Sequence, residues 1–221
     1  MNILGFVQLA EAIPPSGGYC YSFGIETMAR RHQLTTAEQL LTLLTGALHA
    51  AIGPADGVAS GISSRAARQG DLREIPAVCH VLSSDRLPLE MRLASLQMGR
   101  RLWEISRQWD WASAVHEQLD PLAHQNDLHH AVAFGALVSE VTGSQVRAIA
   151  AYLFNTAKSM VMAAVAGIPL DETTGQHLLA QVQPTIAELA NQCVDKHAED
   201  IVAIHAGGDG GGEALRGIFQ S

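Results

Sequence analysis

The stretch HHAVAFGALVSEVTGSQVRAIAAYLFNTAKSMVMAAVA, residues 129–166, decides the fold class. Two apolar runs, His129 to Val141 and Ser144 to Ala166, meet at Gly143, which suits the end of one helix, while Ser144 is placed to cap the next. Neither run alternates with the period of 2 that marks a strand. Together they form the apolar heart of the second half of the chain.

Working outward, Ile168-Pro169-Leu170 closes this hairpin, and a last long helix starts at Thr174 or Gly175 and runs toward His197. On the other side, Pro88 opens a long helix, about Leu89 to Gln108, with Leu93, Leu96, Leu102 and Ile105 along one face. Trp109 and Trp111 flank a break, and Ala112 to Leu119 reads as a short helix. Earlier still, Thr35 and Glu38 have capping-box spacing, and Leu40, Leu41, Leu44, Leu48 and Ala51 line a buried face. Gly53-Pro54 predicts the end of that helix. Ala55 to Ala67 and Asp71 to Ser83 follow as two more, and Phe23 to Arg31 precedes them. The turn Ile13-Pro14-Pro15-Ser16-Gly17-Gly18-Tyr19 fixes φ at two positions and frees it at two others, which shapes a rigid loop. Only Ile201 to Ile204 is ambiguous between strand and coil.

The fold class is therefore all-α: a single-domain helical bundle of about ten helices over residues 1–206. Residues 207–221 form a glycine-rich tether and tail. Gly207 to Gly212 is costly to hold in one conformation, and it carries Leu215, Ile218 and Phe219 as apolar handles.

Composition narrows function by exclusion. Of 221 residues, 48% are hydrophobic and 5% aromatic, so alanine and leucine must fill the core. Charged residues make up 16%, which suits a chain that hides part of its surface against partners. The net charge is -8, the only lysines are Lys158 and Lys196, and no Lys/Arg cluster is long enough to form a basic stripe that displaces counterions from nucleic acid. Cys20, Cys79 and Cys193 are odd in number and far apart, and read as reduced thiols of a cytoplasmic protein. No signal peptide is evident, and the longest apolar run, Met160 to Leu170, is short of the roughly 20 residues a membrane span needs.

Catalytic patterns are missing. There is no G-x-x-x-x-G-K-[ST], no G-x-S-x-G and no HExxH. His124, His129 and His130 lie close in sequence, and a metal-dependent all-α enzyme built on them stays open. Adjacent His129 and His130 would point about 100° apart on a helix, so one buried, hydrogen-bonded histidine and one at a helix start is the favoured reading. His197 and His205 are weaker ligand candidates. Glu199-Asp200 and Asp171-Glu172 read as solvated helix ends.

The stretch Gln8 to Glu26, with Pro14, Gly17, Gly18, Ser22, Gly24 and Glu26, resembles the opening motif Q-L-x-D-x-x-x-P-x-G-G-[FY]-x-x-S-x-G-[LI]-E of the urease accessory protein F family. Glu11 stands where that family carries Asp. Glu90 to Leu102, with Arg92, Ser95, Gly99 and Arg100, is similar to the family's E-x-R-x-A-S-x-x-M-G-R-x-L. His130 and Gly135 in His129 to Gly135, Tyr152 in Ala151 to Leu153, and Pro169 leading to Gln176 continue the resemblance in order. At the C-terminus Ile218, Phe219 and Ser221 match the family's H-E-x-x-x-x-R-L-F-x-S, while glycines replace its His-Glu pair.

The resemblance implies a non-catalytic, homodimeric, all-α protein. It implies a bridge between the urease-binding accessory protein (D or H) and the nickel-carrying GTPase G, acting during nickel insertion into apo-urease. No cofactor is bound tightly on this reading; nickel is handled by the complex. The matched residues are then partner-contact or structural positions. A divergent adaptor for another GTPase is the alternative that the altered tail supports.

Overall fold

The central element is a helix with almost no surface of its own. In the computed structural model, α8 (His130–Thr142) buries every residue except Glu140. The structure describes residues 2–11, 24–84, 89–124 and 128–202, with backbone alone at 90 and 91. The turn carrying Pro14, Gly17, Gly18 and Ser22 lies outside the described residues. So does the tail carrying Ile218, Phe219 and Ser221.

Around α8 stand α1 (Ile3–Glu11), α2 (Ile25–Arg30), α3 (Ala37–Ala47), α4 (Val58–Gln69) and α5 (Ile75–Ser83), followed by α6 (Leu89–Ser106), α7 (Ser113–His124), α9 (Gln145–Gly167) and α10 (Glu172–Gln192). Short 3₁₀ turns at Asp110–Ala112 and Ala198–Asp200 complete the set, and no strand occurs among the described residues. α4, α6, α9 and α1 pack directly on α8, and α10 pairs with α9. One apolar cluster, from Leu9 through Phe134 to Ile201, joins them.

The hairpin that sets the class forms where the sequence puts it. Gly143 ends α8 in the left-handed conformation, φ 61°. Ser144 takes the cap position of α9, but its hydroxyl makes no capping hydrogen bond. Of the described helices, α9 alone is long and apolar enough to cross a membrane; 61% of its apolar window is buried in the fold, as in a core helix. Asp171 caps α10 by accepting the Thr174 N–H at 2.7 Å, so that helix begins two residues before Thr174 and ends at Gln192, short of His197.

Two sequence expectations are corrected. The cap of α3 is Thr36, not Thr35, and its reciprocal partner is Gln39, not Glu38. The Thr36 hydroxyl accepts the Gln39 N–H at 3.2 Å, and Gln39 Oε1 accepts the N–H groups of Thr35 at 2.8 Å and Thr36 at 3.2 Å. An amide oxygen serves the box as well as a carboxylate.

Nor does Gly53-Pro54 end a helix. The chain continues from Leu48 to Gly57 in wide π-helical turns and runs directly into α4. A proline inside an α-helix removes a donor and collides with the carbonyl a turn behind it; the widened turns absorb that misfit without breaking the axis.

Candidate functional site

Two of the motif stretches meet at the entry to α8. A Cβ on Gly99 of α6 would overlap the Leu128 carbonyl oxygen and come within 2.9 Å of the His130 amide nitrogen, so a glycine is what lets these backbones touch. One turn earlier, Ser95 Oγ lies 3.1 Å from His129 Nδ1 and accepts the His130 N–H at 3.3 Å. Ser83, at the end of α5, places its hydroxyl 2.9 Å from His129 Nε2. Arg92 donates to the Ser83 carbonyl at 2.6 Å. One imidazole thus joins α5, α6 and α8.

Burial, with the Arg92 charge beside it, pushes His129 down to about 4. Burial alone pushes His130 to about 4. Both rings are neutral near pH 7. A neutral ring needs one donor and one acceptor, and the two serine hydroxyls around His129 can supply both. His130 instead packs its ring on Tyr152, centroids 5.5 Å apart, and on Phe134 at 6.2 Å. Its Nε2 is buried with no hydrogen-bond partner among the described residues.

Tyr152 carries the connection into the π segment, where its hydroxyl bonds the Asp56 carboxyl. Asp56 is partly covered as a residue, but its carboxyl is enclosed, and burial pushes its pKa up to about 6 against the pull of that hydrogen bond. On the opposite side of α8, Gly135 meets α4 so closely that a Cβ would overlap the Ser60 carbonyl oxygen. Ser63 in the same interface donates to the Val132 carbonyl at 2.7 Å.

The structure therefore sorts the sequence-predicted residues. Ser95, Gly99, His130, Gly135 and Tyr152 sit at helix–helix contacts around α8, and Arg92 ties α6 to α5. Glu26 on α2, Arg100 on the outer face of α6, Pro169 in the α9–α10 turn and Gln176 on α10 are exposed. Gly24 precedes α2 with φ 75°. Beside Arg100, Arg101 pairs with Glu104 at 3.2 Å. His124 is exposed and donates to the Asp120 carbonyl of its own helix at 2.6 Å, well apart in role from the pair at 129 and 130. Among the described residues no group of three or more His, Cys, Asp or Glu is placed to hold a metal ion.

Sequence reasoning missed Ser83 and Asp56. Ser83 gave no signal, because its partner lies 46 residues away. Asp56 gave one: from Ala50 to Ser64 it is the sole charged residue, in a stretch with helical neighbours on both sides.

Comparison with known proteins identifies the family. The UreF family model matches residues 34–183, a span that includes α3 through most of α10. A urease accessory protein UreF from Nostoc sp. is 31% identical over 192 residues, covering 84% of this chain and 80% of the relative. One from Polaromonas sp. is 30% identical over 196 residues, covering 86% and 81%. One from Geobacillus kaustophilus is 27% identical over 206 residues, covering 93% and 90%. The family is one of urease accessory proteins and not of enzymes, and this chain belongs to the UreF family.

Proposed function

We propose that the protein is a non-catalytic scaffold in urease maturation, bridging the urease-binding accessory protein (D or H) and the GTPase G during nickel insertion into apo-urease. Membership of the UreF family over most of the chain carries this reading. On it the GTPase is modulated by contact, the scaffold acts as a homodimer in the cytoplasm, and nickel is cargo of the complex rather than a resident ion.

Two features support a partner-dependent role. The polar residues that cluster in the interior serve helix packing, so the chemistry of the protein lies at its surface. That surface is apolar in places: Leu4 is 78% exposed, and Leu89 and Leu93 on α6 are exposed by more than half. A groove of about 570 Å³ between α1, α9 and α10, lined by Phe6, Ala150, Phe154 and Ile186, adds to it. Exposed apolar area of this kind marks interaction surface.

Co-purification tests the scaffold. Tagged full-length protein, and a version truncated after Ala206, are expressed with D/H and G from the same host. A stable complex with the full chain, lost on truncation, is the expected result. No complex with either version, under conditions where another UreF protein forms one, contradicts the assignment.

A further inference from the structure

After α10 the chain does not simply leave the bundle. It turns back at Asp195, which holds a left-handed φ of 56° that a residue with a side chain adopts at a cost. The stretch Cys193–Val202 then runs as a strap across α4, α5 and the π segment. At one end the Cys193 thiol, buried, donates to the Gly53 carbonyl at 3.3 Å. At the other the Val202 N–H donates to the Pro54 carbonyl at 3.2 Å.

The middle is held by one carboxylate. Glu74 Oε1 lies 3.1 Å from His197 Nδ1 and accepts the Ala198 N–H at 3.0 Å, while Oε2 takes Arg65 of α4 at 2.9 Å. These hydrogen bonds hold the Glu74 carboxyl below its usual range although burial opposes them. Ala198 and Ile201 are the apolar residues that the strap buries near this hub.

We infer that the strap is a releasable latch over the π segment, with Glu74 as its catch. Its anchoring fits release. The His197 side chain is 58% exposed, the catch rests on a single partly exposed carboxylate, and Asp195 holds a left-handed φ. Few buried apolar contacts and exposed polar ties define the segments of a fold that open first. Opening removes the donors that Cys193 and Val202 bring to Gly53 and Pro54, so the state of the chain near its C-terminal end is felt in the helix that carries Asp56 and reaches Tyr152. The latch stands on contacts in this chain alone and does not depend on the urease reading.

Thiol alkylation of the full-length protein, resolved by peptide mass mapping, tests it. Cys193 reports the strap, and Cys79, buried on α5, reports the core. Glu74→Gln is expected to speed alkylation of Cys193 at least tenfold while leaving Cys79 unchanged, and to speed amide exchange across residues 48–57. His197→Ala, at an exposed position that leaves the Arg65 pair in place, is expected to move Cys193 and residues 48–57 in the same direction by a smaller factor. Cys193 remaining as slow as Cys79 in both variants overturns the latch. Equal acceleration of the two cysteines also overturns it, because the strap would then open only with the whole fold.

Discussion

α8 is gripped on two sides by close backbone approaches, and the two are built differently. Against α4, Gly135 meets the Ser60 carbonyl between two regular helices, where size and the uncharged Ser63–Val132 hydrogen bond set the fit. Against α6, Gly99 meets Leu128 and His129 before the helix begins, and the approach is flanked by Ser83, Ser95, Arg92 and the His129 ring. The first contact is a matter of volume and should ignore pH. The second is also a matter of protonation, because it encloses a ring that must stay neutral. A protein can thus fix one helix sterically on one side and make its other side sensitive to conditions.

The largest predicted effect breaks the steric side. Gly135→Ala puts a methyl group into the Ser60 carbonyl between two rigid helices, and it should cost more than about 3 kcal/mol or prevent folding. Gly99→Ala should cost less, about 1–3 kcal/mol, since Leu128 and His129 precede the helix and can yield. Urea unfolding of both variants orders the two contacts; a larger loss at Gly99 would reverse the ranking.

The pH dependence separates the sides further. His129 and His130 are held near 4 in the folded protein and titrate near 6.5 when unfolded. The unfolded chain therefore binds protons first as pH falls, and stability present above 6.5 is lost progressively down to 4. The size is on the order of 3 kcal/mol per ring. Asp56 acts in the opposite sense. Its folded pKa of about 6 lies above the unfolded 3.8, so the folded state takes its proton first and regains stability as pH falls through that window.

Asp56→Asn should accordingly stabilise the protein near pH 7 by on the order of 2 kcal/mol, and should steepen the acid loss. His129→Gln should make the loss between pH 6.5 and 4.5 shallower. Urea midpoints at pH 7, 5.5 and 4.5 read all three proteins, and identical pH profiles would refute the assignment of the histidines. Thr36→Ala, far from both grips, supplies the baseline at pH 7: about 1 kcal/mol from a lost cap.

Much of this architecture was legible in the sequence because it is local. Gly143 is followed at once by Ser144, so the α8–α9 hairpin could be read from neighbours. The leucines of α3 and α6 repeat at helical spacing. The motif residues Arg92, Ser95 and Gly99 could be picked out, and so could His130 and Gly135. That the two sets touch could not, since their contact joins residues more than 30 positions apart.

The π segment was misread for a physical reason. Proline and glycine together usually stop an α-helix, and the wide π turns that let this one continue leave no mark in the residue pattern. The cap slipped by one residue because Thr35 and Thr36 are equally good cap residues, and Gln39 settles the choice only when its amide is seen reaching back.

On the proposed scaffold role, the protein serves urease assembly without chemistry of its own. The most direct measurement is the nickel content and activity of urease purified from its host with and without this chain. The expected result is nickel-poor, inactive urease without it, and recovery of nickel and activity with the full-length protein. Fully loaded, active urease in its absence would contradict the scaffold role.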